Sequence, residues 1–164
     1  MNQAVSADAF VLGGEPWPGR SITYYVGPGG NARAVNRAAR AWNRAKVGVR
    51  LRRVPREDAQ VLIGFASPSP CSGWATVGRA EDPVGQVSLD RQCSRSVTFL
   101  LAVHEFGHVL GLDHELQRCA VMNPEMERAT GTPSGCARRP LRYWVSRPLR
   151  RDDIRGARAL YGGA

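Results

Sequence analysis

The sequence predicts an α/β fold in one domain, and three observations carry that reading. The chain has 164 residues, about one domain's worth, and 43% of them are hydrophobic, enough to bury a core. Two segments read as strands. Ser21–Val26 (SITYYV) is rich in β-branched and aromatic residues, and Val61–Ala66 (VLIGFA) is a continuous apolar run, as in a fully buried strand. Two others, residues 31–46 and about 96–110, read as helices.

The elements follow in order. The first strand comes after a Pro/Gly cluster and is broken by the Gly-rich stretch 27–30. In 31–46, Arg33, Arg37, Arg40 and Arg44 recur at steps of four, three and four and stack on one helix face. Val35, Ala38, Ala39 and Trp42 fall on the other, so the helix is amphipathic with a cationic outer stripe. Residues 49–54 alternate apolar residues with Arg, as a half-exposed strand does. Residues 67–73 read as a loop, and 74–78 and 86–90 as short strands separated by a turn. The second helix has Ser94 or Ser96 as its cap and Gly111 as its stop. Residues 113–149 read as mostly irregular. The last helix, 152–161, opens with Asp152 and Asp153 at its positive end.

The charge is lopsided, with 23 basic residues against 14 acidic ones for a net +9. Lys46 is the one lysine and the other 22 are Arg. No apolar run approaches the ~20 residues of a membrane span. Residues 1–10 hold no apolar core of ~7–15 residues, so a signal peptide of the usual build is not expected there. The Arg stripe, with Arg138-Arg139 and Arg150-Arg151, raises an alternative reading: a cationic module for acidic surfaces or nucleic acid, with a non-catalytic zinc site. Against it, no nucleic-acid motif is recognisable, and a solvated helix face is the plainer account of such a stripe.

The four cysteines, Cys71, Cys93, Cys119 and Cys136, include no close CxxC pair and allow three pairings. Neighbour pairing, Cys71 with Cys93 and Cys119 with Cys136, would close two Gly/Pro-rich excursions. Two disulfides imply an oxidising, secreted setting; four buried thiols are the alternative.

The three histidines all fall between positions 104 and 114, in the stretch HEFGHVLGLDH. On a helix, His104 and His108 lie ~40° apart around the axis and one turn apart along it, so both imidazoles reach one metal ion. Glu105 is rotated ~100° from His104, which suits holding a water beside the metal rather than ligation. Gly111 turns the chain out of the helix so that His114 returns as a third ligand. Three nitrogens with an open position mark a catalytic Zn²⁺ site. Random placement of three histidines gives this spacing only about 2 times in 10,000. With every His committed to the metal, none remains for a nucleophile triad or a second His-bound zinc.

HExxHxxGxxH resembles the signature of the metzincin zinc peptidases, which also carry a methionine turn beneath the metal. Here that turn looks like Cys119-Ala120-Val121-Met122-Asn123-Pro124. Within the metzincins the chain is most similar to the matrixins, over nearly its whole length. Residues 17–26, the Trp42 helix, residues 57–65 and residues 152–162 resemble their first strand, first helix, AD-I-x-I-x-F strand and closing helix. Glu115, after the third ligand, stands where matrixins usually have Ser and is typical of astacins.

The resemblance implies a metzincin-type α+β domain spanning 1–164. A twisted, mostly parallel sheet with an antiparallel edge strand and two helices would form an upper half, about 15–111. A loop-rich half with the methionine turn and the last helix would fill about 112–164. Trp74, Ala75, Thr76 and Val77 would form the edge strand that pairs with an extended substrate. The implied activity is secreted, zinc-dependent endopeptidase cleavage of protein or peptide substrates, acidic ones included, by a monomer. His104, His108 and His114 would be the ligands, Glu105 the general base, and Met122 and Gly111 structural supports. Asp82 and Asp90 are candidate contacts for a structural Ca²⁺.

Overall fold

The computed structural model describes residues 9–66, 71–79, 84–124 and 139–162. Its framework is a five-stranded sheet of β2 (Ser21–Val26), β3 (Arg50–Arg53), β4 (Val61–Ala66), β5 (Gly73–Ala75) and β6 (Gly85–Asp90). The spatial order is β3-β2-β4-β6-β5. All neighbours are parallel except β5, which lies antiparallel to β6 at one edge. The expected mixed sheet is therefore present.

Its inner face is covered by α1 (Ala32–Arg44) and α2 (Arg95–Leu110). Ile22, Tyr24 and Val26 of β2 join Val61 and Ile63 of β4, Val35 and Trp42 of α1, and Val103 and Phe106 of α2 in one apolar core. Asn31 caps α1 by accepting the Ala34 N–H at 3.1 Å. The arginine stripe stays outside: Ala34, Val35, Ala38, Ala39 and Trp42 are the buried residues of the helix.

Only one face of β4 is covered, which corrects the expectation of a fully buried strand. Val61 and Ile63 are buried, whereas Leu62 is half-buried and Gly64 exposed. The apolar run arises because small or apolar residues also occupy the outward positions; it does not reflect a second helical layer.

Two short elements had no sequence signal. β1 (Val11–Leu12) pairs antiparallel with β7 (Leu112–Asp113), tying the start of the described chain to the exit of α2. Two-residue strands are too short to show a period. The second is α3 (Leu141–Ser146), in the stretch expected to be mostly irregular. It begins after Pro140 and is anchored by Trp144, 3% exposed, with the Arg150 guanidinium 4.0 Å over the Tyr143 ring. The closing helix α4 (Arg151–Tyr161) forms as expected.

The sheet's other edge, β3, is closed by a side chain. The Asn43 amide donates to the Leu51 carbonyl at 2.9 Å and accepts the Leu51 N–H at 2.8 Å, as a neighbouring strand would. We predict that Asn43→Ala lowers stability by about 1–2 kcal/mol, because both backbone groups lose their partner. Urea unfolding should show a lower midpoint at unchanged slope; an unchanged midpoint would refute this role for Asn43.

Candidate metal centre and active site

The site is built on α2, which is buried almost all round from Thr98 to Leu110. A helix apolar on every side belongs inside a protein, and here the sheet, α1 and the following loops enclose it. Ser94 is its cap, accepting the Val97 N–H at 3.3 Å. At the other end Gly111 adopts φ 103°, the left-handed conformation that favours glycine. The last carbonyls of α2 are all engaged. Trp17 Nε1 donates to Val109 at 2.8 Å, Tyr161 Oη to Leu110 at 2.9 Å, and the Gly78 N–H to His108 at 2.7 Å. Three distant chain segments thus hold the point where the backbone turns toward His114.

That turn brings the three histidines together. His108 Nε2 lies 3.1 Å from His104 Nε2 and 3.2 Å from His114 Nε2, and all three ligand atoms fall within 4.8 Å of one another. The tautomers follow from the partners behind them. His104 Nδ1 donates to the Val121 carbonyl at 2.6 Å and His108 Nδ1 to the Leu112 carbonyl at 2.8 Å, since a carbonyl can only accept. The Nε2 atoms of both rings therefore carry lone pairs, and these point at each other. Such a set needs a cation. Nitrogen ligands 2.0–2.1 Å from a tetrahedral Zn²⁺ stand about 3.3 Å apart, close to the spacing seen. Burial also holds both rings neutral, lowering His104 to about 3 and moving His108 down as well. His114 is the exposed member of the set.

Glu105 is 3% exposed, and its Oε2 has no hydrogen-bond partner among the described residues. Burial raises its pKa to about 8 in the metal-free chain, within reach of general-base work at neutral pH. It lies beneath the sheet edge: a Cβ at Gly73 would sit 2.7 Å from Glu105 Oε1. The absence of a side chain at position 73 is what lets β5 pass over the carboxylate. Trp74, in the middle of β5, is 53% exposed. The strand covers Gly73–Ala75 rather than 74–78, although the Thr76 N–H continues the pairing to the Gln86 carbonyl at 2.9 Å. Val77 lies beyond the strand, because the next residue, Gly78, turns away to bond His108.

Met122 is 2% exposed and packs under α2 at Gly107, where any Cβ would collide with its sulfur. The loop carrying it depends on residues whose long-range partners the sequence does not show. Asn123 donates to the Glu115 and Arg118 carbonyls at 2.7 and 2.8 Å and accepts the Ala120 N–H at 3.0 Å. Asp153 of α4 accepts the Val121, Met122 and Arg150 N–H groups at 3.0, 3.2 and 2.7 Å. Its carboxylate thus fixes the peptide whose carbonyl orients His104, and burial raises its pKa to about 6. Asp152 and Asp153 lie in the first turn of α4 as expected, Asp153 accepting the N–H of the cap residue Arg150, and both are also buried. Their chemistry was visible in the sequence, but their long-range partners were not. Glu115, 1% exposed, turns into the same loop, its carboxylate accepting the Gln117 and Arg118 N–H groups.

The cysteine pairing is corrected in part. Cys71 is a free thiol, so no Cys71–Cys93 bridge forms. The register Gly73↔Leu89 carries Cys71 opposite position 91, two residues short of Cys93, and the Cys71 N–H is bonded to Asp90 Oδ2 at 2.9 Å. Asp90 Oδ1 accepts the Gln92 N–H at 2.8 Å, so both oxygens brace this turn. Asp82 and Cys136 lie outside the described residues.

Fold and site together define a metzincin zinc metallopeptidase domain. The family model for the astacin peptidases matches residues 12–121, and the chain belongs to that family. Human Tolloid-like protein 1 is 32% identical over 105 residues, 62% of this chain and 10% of the relative. Human Matrix metalloproteinase-15 is 27% identical over 193 aligned positions, 93% of this chain and 26% of the relative. Human Matrix metalloproteinase-27 is 40% identical over 65 residues, 40% of this chain and 10% of the relative. The chain thus spans about a quarter or less of the length of these curated relatives. The matrixin likeness is distant, and it stands beside the astacin match in line with Glu115.

Removing the Asp153 carboxylate leaves two buried N–H groups and one half-buried one without an acceptor. Asp153→Ala should cost at least about 2 kcal/mol of stability. Through His104 it should also weaken zinc binding about 10–100-fold in chelator competition. Unchanged zinc affinity would show that the Val121 peptide holds His104 without it.

Proposed function

We propose that the chain is the catalytic domain of a secreted endopeptidase that hydrolyses internal peptide bonds of protein substrates. The observation that carries this reading is the convergence of three Nε2 atoms beside a buried carboxylate, its Oε2 unpartnered among the described residues, under an exposed sheet edge. His104, His108 and His114 would hold the zinc. When bound, zinc supplies positive charge to polarise the scissile carbonyl and to acidify a water.

The other roles fall to the chain itself. The outer edge of β5, with Trp74, Ala75 and the continuation through Thr76 and Val77, offers backbone groups to an extended substrate as an added strand. Glu105 accepts a proton from the attacking water as its oxygen bonds to the carbonyl carbon. The same carboxyl returns that proton to the amine nitrogen as the C–N bond breaks. Gly111 sets the turn to the third ligand, and Met122 fills the space beneath.

The same proposal covers one catalytic domain over 1–164, with a sheet-bearing half at about 15–111 and a loop-rich half at about 112–164, acting as a monomer. An oxidising, extracellular setting is supported by Cys119, which is disulfide-bonded, and we assign Cys136 as its partner.

The direct test is cleavage of casein or a quenched peptide by the zinc-loaded protein. Chelation should abolish cleavage and added zinc should restore it; cleavage that survives full zinc removal would refute the reading. Glu105→Ala should keep its zinc while losing at least about 10²–10⁴-fold in kcat/KM. Retained activity in that variant would move the general base elsewhere. Salt-sensitive binding of polyanions without any cleavage would favour the cationic-module alternative.

A further inference from the structure

Away from the metal, the structure holds a groove that the proposed chemistry does not use. Its floor is apolar, formed by Phe99 of α2, Val145, Leu149 and Ile154. Its rim carries Arg37 and Arg44 of α1 and Arg147, and among the described residues no acid lines it. It encloses about 810 Å³ including its open mouth, room for several side chains. Phe99 precedes His104 by five residues and so points about 140° away around α2, which sets the groove on a different flank from the catalytic centre.

One rim residue is held in place before any ligand arrives. The Arg37 guanidinium lies 4.0 Å over the Phe99 ring and donates to the Val145 carbonyl at 3.4 Å. Arg44 follows seven residues later on the same helix, about 10.5 Å along the axis. Positive charge is thus spread along the groove, with Arg147 beside it and no acid in α1 to answer it. A lipid chain brings one anionic head and would leave most of this charge unpaired. A peptide in the polyproline II conformation rises about 9 Å in three residues and brings residues i and i+3 to one face, so it can set a carboxylate against each of Arg37 and Arg44 while its apolar side chains enter the floor.

We propose that this groove is an exosite for an acidic, amphipathic peptide segment of a protein partner. Electrostatic complementarity at the rim selects the segment and apolar burial on the floor holds it. Binding there is independent of zinc and of Glu105.

The test uses the whole chain carrying Glu105→Ala and a fluorescein-labelled peptide, Glu-Leu-Phe-Glu-Ile-Leu-Glu, followed by anisotropy, with mass spectrometry confirming that the probe stays intact. Saturable binding is expected. Arg37→Glu with Arg44→Glu should weaken it at least about tenfold. Arg33→Glu with Arg40→Glu makes the same charge change on α1 outside the groove and should cost less than about threefold. Replacing the probe's Leu, Phe and Ile by Ser should also weaken binding at least about tenfold. If loss of the Arg37 stacking impairs folding by circular dichroism, Arg44→Glu with Arg147→Glu replaces the first pair. No binding, equal loss from both arginine pairs, or equal binding of the Ser probe would each overturn the proposal. Displacement of the probe by laurate at lower concentration than by unlabelled peptide would overturn it in favour of an anionic lipid.

Discussion

The structure turns on three imidazole nitrogens that converge on one point, those of His104 and His108 facing each other with their lone pairs. Left without a cation the His104 and His108 lone pairs repel, so the fold has to hold these two rings against that repulsion until a metal relieves it. It does so from behind each ring of the helical pair. His104 is fixed by the Val121 carbonyl, and that peptide is fixed by Asp153. His108 is fixed by the Leu112 carbonyl, in the strand pair that closes over the end of α2. Each of these two ligands is therefore tied to a different part of the lower chain, and local helix geometry alone does not account for their convergence.

The same constraint explains why the end of α2 is so heavily bonded. A helix that stops in the interior leaves carbonyls that cost free energy unless they find donors. Trp17, Tyr161 and Gly78 supply them from the N-terminal segment, the last helix and the upper loop. Catalytic geometry and fold stability thus share one set of bonds. Glu105 stands apart from this set. It is buried with its Oε2 unpartnered among the described residues, an arrangement that costs stability and suits the role of base proposed for it.

Charge has a different place in the molecule. Net +9 is the most conspicuous number in the composition, yet the four arginines of α1 lie outside the core and none belongs to the metal centre. Two of them, Arg37 and Arg44, border an apolar groove on another flank, where charge and burial combine. A net charge alone would not distinguish that pair from Arg33 and Arg40 on the same helix; only the neighbours from α2 and the α3–α4 connection do.

Much of the site was legible because its chemistry is local. His104, Glu105 and His108 sit within one helical turn and a half, and Gly111 is required by a single left-handed turn, so spacing alone places them. The helix faces were legible for the same reason, since burial follows a period of 3.6 residues. Features that rest on partners far along the chain were not. Asp153 beneath Val121, Asn43 closing β3 and Gly107 making room for Met122 have no signal at their own positions beyond residue type. The Cys71–Cys93 pairing failed similarly: proximity in sequence suggested a bridge, while strand register set the two residues out of step. By itself, then, the sequence determined the three-histidine set, the place of Glu105 beside it and the helix that carries them, because these depend on backbone periodicity. Tertiary structure alone decided what orients the ligands and which arginines border a groove, because those depend on where distant segments meet.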